Sequence, residues 1–138
     1  MSTNDESWMA EAIKEAKKAY SEEEVPVGAV IVSDNRIIGR GHNRVESLHD
    51  PTAHAEMIAI TAACNSKNDW RLDRATIYVT LEPCQMCEWA IFLSRIKRLV
   101  YGARDKQGKK LNNSIEVKDG ILKEDCQNLL RTFFEKKR

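Results

Sequence analysis

The chain has no run of apolar residues that approaches the roughly 20 needed for a membrane-spanning helix. It is also poor in the residues of linkers and low-complexity segments, with 6 glycines and 3 prolines among 138 residues. Apolar residues make up 42% and charged residues 31%, which excludes both a disordered chain and a membrane protein. The length predicts a single domain over residues 1–138, long enough to bury a core without disulfides.

The first six residues are polar and acidic, and they lack the basic and apolar parts of a secretory signal peptide. The chain contains only 4 cysteines. In a protein that is not secreted, four cysteines indicate metal or redox chemistry rather than a disulfide framework. These features predict a cytoplasmic protein.

Charges of opposite sign are unevenly distributed, although the net charge is only +1. Residues 1–69 contain 7 Lys/Arg and 12 Asp/Glu, whereas residues 70–138 contain 15 and 9. The basic excess gathers at positions 95–98, 104–110 and 136–138. This segregation permits an anionic partner on one face, and an ordinary solvated surface is the alternative.

The hydrophobic pattern predicts an α/β fold. Apolar residues at helical spacing predict helices over 7–20, 53–65 and 84–94, and a last helix from residue 121. Short apolar runs predict strands at 27–32, 37–38, 75–80 and 99–101, with an edge strand at 114–117. The first two strands form a hairpin around Asp34-Asn35, residues that tolerate tight turns. A hairpin followed by alternating helices and strands implies a sheet covered by helices on both faces.

Two short motifs open predicted helices and carry the candidate chemistry. Cys84 and Cys87 lie three residues apart at a helix start, where the helix dipole favours the thiolate that a metal needs. Alone, this pair fits a zinc site and a thioredoxin-like redox site equally well. His54 adds a third nitrogen or sulfur ligand, with Glu56 two residues beyond it. Three ligands and a glutamate are the composition of a catalytic zinc site that keeps one position for water.

No fourth ligand of comparable quality is evident. Cys64 and Cys126 lie within apolar helical stripes, which is typical of small core residues. His42 and His49 are predicted in loops, where exposure to solvent is more common than metal binding. A purely structural zinc module and a redox module remain the alternatives from other classes. A redox module should purify without stoichiometric zinc.

His-x-Glu followed by Pro-Cys-x-x-Cys is the signature of zinc-dependent nucleobase deaminases, and 54–56 and 83–87 match it. The wider sequence, from about Tyr20 to the C-terminus, resembles the bacterial tRNA adenosine deaminases. The matching segments are VPVGAV (25–30), DPTAHAE (50–56), LEPC (81–84), SRI (94–96), YGARD (101–105), DGIL (119–122) and FF (133–134).

This resemblance implies a three-layer α-β-α sandwich around a five-stranded mixed sheet, usually assembled as a homodimer. It implies zinc bound by His54, Cys84 and Cys87. The implied reaction is hydrolytic deamination of adenosine to inosine at the wobble position of a tRNA anticodon. Glu56 would move protons between the water and the base.

The resemblance also implies where the substrate lies. Asn43 matches a position that contacts the base, and the backbones of Ala29 and Glu82, with Asp105 at its strand end, are expected at the edges of the pocket. The structural alternatives are a turn role for Asn43 and a strand cap for Asp105. The candidate phosphate contacts are the basic residues Arg104, Lys106, Lys109, Lys110, Lys136, Lys137 and Arg138. Contacts of this kind release counterions, so RNA binding should weaken steeply with salt.

Two departures from the family's pattern adjoin the expected RNA-binding face. Residues 106–114 form a shorter segment than is usual, and Glu88-Trp89 stands where small residues normally follow the second cysteine. They keep open a deaminase that acts on a free base or nucleoside, guanine or cytosine. Residues 89–93 are more apolar than one core-facing stripe requires, which predicts an interface with a second subunit.

Overall fold

The computed structural model describes residues 2–105 and 115–137. The helices are α1 (Ser2–Ser21), α2 (Val45–Leu48), α3 (Ala55–Lys67), α4 (Gln85–Leu93) and α5 (Lys123–Lys136). The strands are β1 (Gly28–Ser33), β2 (Arg36–His42), β3 (Thr76–Leu81), β4 (Arg98–Ala103) and β5 (Glu116–Lys118). Within the described ranges, no helix combines the length and the apolar character needed to cross a membrane.

The strands form one mixed sheet in the order β2-β1-β3-β4-β5. β1 is antiparallel to both β2 and β3, whereas β3, β4 and β5 run parallel to one another. The β1–β2 turn contains Asp34 and Asn35 at φ values of 53° and 61°, which are left-handed conformations that these residues tolerate. The predicted five-stranded mixed sheet and its first hairpin are confirmed.

Side chains of the three central strands alternate between two helical layers. One core contains Ala29, Ile31, Ile77, Val79 and Leu99 with residues of α3 and α4. The other contains Val30, Val32, Tyr78 and Val100 with residues of α1 and α5. Both faces of the sheet are therefore covered, as the predicted α-β-α sandwich requires.

Helix α3 packs unusually closely on β2. A Cβ atom at Gly41 would lie 2.4 Å from the Ala55 carbonyl oxygen, and one at Gly39 would lie 2.5 Å from that of Ala59. Real Cβ atoms do not approach backbone so closely, so these two positions admit no side chain. The first turn of α3 is consequently held directly against the sheet.

Helix α1 begins five residues before the predicted start at residue 7. The reason is Asp5, whose carboxylate accepts hydrogen bonds from Arg98 Nη1 and Nη2, each at 2.9 Å, and from Tyr78 Oη at 2.8 Å. The bonds from Arg98 outweigh the effect of burial and hold the pKa of Asp5 at about 2. A periodicity of apolar residues cannot reveal an anchor of this kind, because the anchoring residue is charged.

His42 also lies elsewhere than predicted. It is the last residue of β2 rather than a loop residue. Its ring is largely buried between two carboxylates, with Nδ1 3.4 Å from Glu15 Oε1 and Nε2 3.0 Å from Glu22 Oε1. The prediction was wrong because β2 extends beyond the apolar pair Ile37-Ile38 through glycine and polar residues.

Candidate active site

Four chain segments meet at one edge of the sheet. Because β1 is antiparallel to β2 and β3, the start of β1 lies beside the ends of β2 and β3, with Gly28 paired to His42 and Ala29 to Val79. Parallel β4 ends at the same edge. The segments that enter or leave these strands carry residues 24–27, Asn43, Cys84 and Asp105, so the topology brings them together.

A tight turn presents His54 at the start of α3. Asp50 Oδ1 accepts hydrogen bonds from the backbone N–H of Thr52 at 2.8 Å and from its hydroxyl at 2.7 Å. His54 follows in an extended conformation as the residue that precedes the helix, and its carbonyl accepts the N–H of Ile58 at 3.1 Å. The side chains of His54 and Glu56 therefore project from the first turn of α3.

The two cysteines are held in the same way by α4. Cys84 is the extended residue before this helix, and its carbonyl accepts the N–H of Glu88 at 2.9 Å. Its Sγ atom lies 3.6 Å from His54 Nδ1, and the Sγ atom of Cys87 lies 3.5 Å from the same nitrogen. The three candidate ligand atoms all lie within 4.8 Å of one another.

These separations fit a zinc ion. Zinc binds thiolate sulfur at about 2.3 Å and imidazole nitrogen at about 2.0–2.1 Å, so tetrahedral geometry places the two ligand atoms about 3.6 Å apart. The observed sulfur–nitrogen distances are 3.5 and 3.6 Å. In the described part of the chain, no other group of three His, Cys, Asp or Glu side chains converges in this way.

The remaining cysteines pack in or against the hydrophobic core, as predicted for small core residues. Cys126 is buried against the α1/α5 face of the sheet. Cys64 is partly buried and packs against the core on the α3/α4 side. His49 is exposed at the C-terminal end of α2. These three side chains are not part of the convergent group.

Glu56 is buried beside the ligand atoms, with only 4% of its surface exposed. Burial raises the pKa of Glu56 to about 7, against the opposing effect of hydrogen bonds from its own backbone N–H and from the Cys87 thiol. A carboxyl group that titrates near neutral pH can both accept and donate a proton during a reaction. The position and the chemistry of Glu56 therefore suit proton transfer next to the metal site.

The ligands open into a cavity of about 970 Å³, which is large enough for a nucleoside. Its metal side is formed by His54, Glu56 and Cys84. A second part of the lining contains Glu24, Val25, Val27, Asn43 and residues 45–47. The rest of the lining consists of Glu22, Glu23, Ala55, Leu81, Glu82, Asp105, Phe133 and Lys137.

Three of the four predicted pocket residues line this cavity. The Asn43 side chain donates from Nδ2 to the Val25 carbonyl at 3.2 Å and accepts at Oδ1 from the N–H of Val45 at 3.2 Å. Glu82 Oε1 accepts the backbone N–H of Asp105 at 2.9 Å. Ala29, in contrast, is fully buried within β1 and does not line the cavity.

The predicted phosphate contacts are distributed differently. Lys137 lines the cavity, with Nζ 5.5 Å from the centroid of the Phe133 ring, and Lys136 Nζ lies 5.2 Å from that of Tyr20. Arg104 pairs through Nε with Asp119 Oδ2 at 2.8 Å and does not line the cavity. The other four, Lys106, Lys109, Lys110 and Arg138, lie outside the described residues.

Sequence reasoning missed one wall of the cavity. Glu24, α2 and Phe133 were not expected there, although they line the same cavity as the metal ligands. Glu24 belongs to the acidic run 22–24, which looks like a solvated surface, and α2 is too short to show a periodic pattern. Phe133 was predicted on the apolar stripe of the final helix, which indicates burial in the core but does not indicate that it lines the cavity.

Comparison with known proteins is consistent with this geometry. Residues 2–103 match the model of the cytidine and deoxycytidylate deaminase zinc-binding region. A tRNA-specific adenosine deaminase of Bacillus subtilis (strain 168) is 46% identical over 148 residues, covering 99% of this chain and 92% of that protein. One of Haemophilus influenzae is 48% identical over 147 residues, covering 97% and 85% respectively.

Among solved structures, one from a study of A-to-I editing by tRNA:A34 deaminases at the wobble position of transfer RNA superposes with a TM-score of 0.85. It is 40% identical and covers 89% of this chain and 98% of its own. The matches extend across both metal motifs and across the sheet edge at which they meet.

Proposed function

Because the chain belongs to the cytidine and deoxycytidylate deaminase family, we propose that it converts an adenosine of tRNA to inosine by zinc-dependent hydrolysis. The convergence of His54, Cys84 and Cys87 beside the buried carboxyl of Glu56 is the structural observation that carries this proposal. Relatives that deaminate tRNA adenosine support the choice of substrate. The wobble position of the anticodon is the proposed target, as in the tRNA:A34 deaminases.

In this proposal His54, Cys84 and Cys87 would hold zinc, which would act as a Lewis acid and make a water nucleophilic at neutral pH. Glu56 accepts a proton from the attacking water and delivers it to the ring nitrogen beside the amino-bearing carbon of adenine. It then takes the second proton of that water, from the oxygen now bonded to the carbon, and transfers it to the departing amine. A carbon–oxygen bond replaces the carbon–nitrogen bond, ammonia leaves, and inosine remains in the RNA.

The part of the cavity lined by Asn43 and Asp105 would hold the base. Asn43 and Asp105 face this space from the ends of β2 and β4, and we propose that they orient the flipped nucleotide. An adenosine in the single-stranded anticodon loop can enter without the cost of unpairing a duplex. We further propose that the chain acts as one domain in the cytoplasm, the compartment in which tRNA is used.

The test of this function is a direct comparison of substrates. Zinc-loaded protein is incubated with a tRNA anticodon stem-loop that carries adenosine at the wobble position, and in parallel with guanine and cytosine. Formation of inosine with release of ammonia is expected, because the cavity admits a nucleotide. Faster production of xanthine or uracil from the free bases would overturn the RNA assignment in favour of a free-base deaminase.

Lys137 is expected to contribute to RNA binding through phosphate. Its exposed ammonium group lies at the edge of the cavity, so Lys137→Ala should raise KM for the stem-loop several-fold. It should also reduce the slope of log(kcat/KM) against log[salt] by about 1. The measurement is steady-state kinetics between low and physiological salt.

Arg74→Ala is the control for lost positive charge. Arg74 is exposed near Asp34 in the β1–β2 turn, at the opposite end of the sheet from the cavity. Its removal should leave the salt slope unchanged. Equal slopes for the wild type and for Lys137→Ala would contradict the phosphate contact.

We propose that the enzyme is a homodimer assembled through α4. Trp89 and Leu93 lie four residues apart, on one face of this helix, and are 53% and 61% exposed. Apolar side chains exposed together usually mark an interface.

Sedimentation at micromolar concentration should show a dimer, and Trp89→Lys combined with Leu93→Lys should give a folded monomer. Phe134→Lys, a 50% exposed aromatic in the opposite layer, is the control and should remain dimeric.

A further inference from the structure

Glu24 is a charged residue with almost no contact with solvent. Only 1% of its surface is exposed, in contrast to its exposed neighbours Glu22 and Glu23. Its carboxylate oxygens accept the backbone N–H of Glu46 at 3.0 Å and of Ser47 at 2.7 Å. Burial raises the pKa of Glu24, but these two bonds outweigh it and leave the pKa below its usual value, so the side chain is ionised at neutral pH.

Helix α2 depends on this carboxylate. Arg44, the residue before the helix, makes no side-chain hydrogen bond to the free N–H groups of its first turn. Glu24, which precedes Glu46 by 22 residues, accepts two of those N–H groups instead. Hydrogen bonds to an ionised acceptor are shorter and stronger than neutral ones. The position of α2 is therefore fixed from outside the helix.

Asn43 makes further hydrogen bonds between the segment that contains Glu24 and the segment that contains α2. The backbone N–H of Asn43 donates to the Val27 carbonyl at 3.1 Å, and its side-chain Nδ2 donates to the Val25 carbonyl at 3.2 Å. With the two bonds to Glu24, these contacts fasten residues 43–47 to residues 24–27. Both segments line the cavity into which the metal ligands His54 and Cys84 open.

We infer that Glu24 is a positioning residue, which sets the distance between the Asn43–α2 wall and the metal side of the cavity and thereby orients the bound nucleotide. It touches neither the reacting atoms nor the metal ligands in this role and acts through the backbone of α2. The inference rests on the proposed function, since it specifies how that site holds its substrate.

Two variants separate the reach of this side chain from its charge. Glu24→Gln keeps the length but presents an amide N–H₂ group to one of the two donors, whereas Glu24→Asp keeps the charge but is one methylene shorter. Both should lose part of the anchor. For the anticodon stem-loop, each should lower kcat/KM about tenfold, mainly as a higher KM, because contacts made equally in the bound and transition states are lost.

Glu23→Gln is the matched control. It removes a charge from the adjacent position, which also lines the cavity but whose side chain is exposed. Any effect of lost charge on RNA binding should appear in Glu23→Gln and Glu24→Gln alike. The effect of the lost anchor should appear only in the two Glu24 variants, and these should also show faster amide hydrogen exchange across residues 43–48.

The possible failures are distinguishable. If the wild type forms no inosine, the proposed function falls, and the positioning role falls with it. If the wild type is active and the Glu24 variants match Glu23→Gln, only the inference is overturned. A loss of kcat in proportion to lost folded protein, at unchanged KM, would show a merely structural role and also overturns it. Fast exchange of the Glu46 and Ser47 amides in the wild type would overturn the inference without any variant.

Discussion

Glu56→Ala should reduce kcat for inosine formation by about 10³-fold or more, since general acid–base catalysis contributes roughly 10²–10⁴-fold and Glu56 serves more than one proton transfer. Zinc content should stay near one ion per chain, because Glu56 is outside the convergent His/Cys group. The measurements are single-turnover kinetics on the stem-loop and metal analysis of the same sample. Near-normal turnover in this variant would contradict the proposed mechanism.

The isosteric variant Glu56→Gln provides the control for stability. In the zinc-free protein, burial raises the pKa of Glu56 from 4.5 to about 7, so the folded state disfavours the ionised carboxylate. The wild type should therefore lose stability relative to Glu56→Gln as the pH rises from about 4.5 to 7, by up to about 3 kcal/mol, with no further change at higher pH. Urea unfolding of both proteins at pH 5 and pH 8 measures this difference. Activity should be lost although this variant is the more stable protein.

The second large effect is expected for the metal ligands. Cys87→Ala should lose stoichiometric zinc and all measurable activity, because one nitrogen and one sulfur ligand do not complete a zinc site. It should also lose the stabilisation that bound zinc gives the wild type, about 4 kcal/mol when zinc exceeds its Kd a thousandfold. Metal analysis and thermal unfolding with and without added zinc measure both changes.

Cys126→Ala is the matched control for Cys87→Ala. Both thiols are buried, but Cys126 packs in the core between α5 and the sheet, away from His54. Its replacement should retain zinc and activity with a small loss of stability. Retention of one zinc ion per chain by Cys87→Ala would exclude this cysteine as a ligand.

Several features of the fold were predictable because local patterns carry them. The alternation of helices and strands, the Asp34-Asn35 turn and the edge strand near residue 117 all follow from periodicity and turn chemistry. Spacing alone also grouped Cys84 with Cys87. Their approach to His54, 30 residues earlier, was inferred from ligand chemistry and from a resemblance, and the structure shows the distances that this requires.

Other features were hidden because they depend on contacts between distant charged residues. Asp5 accepts hydrogen bonds from Arg98, and Glu24 accepts them from N–H groups of α2. A pattern of hydrophobic residues cannot predict either contact. The backbone of Ala29 was expected at the edge of the pocket, but β1 pairs with strands on both sides, so Ala29 lies inside the sheet. Burial and long-range hydrogen bonding decide these positions, and both require the three-dimensional arrangement.

Gly39 and Gly41 allow α3 to approach β2 closely, so these two glycines help to set the distances within the metal site. A methyl group at Gly41 would meet the carbonyl of Ala55, immediately beside His54 and Glu56. The helix would have to rise from the sheet, carrying His54 away from two sulfur atoms that are attached to a different helix. Substitutions in α2 and in the loops that line the cavity can therefore change the shape of the base pocket. Gly39 and Gly41 cannot be replaced in this way, because a side chain at either position would change the distance between α3 and β2.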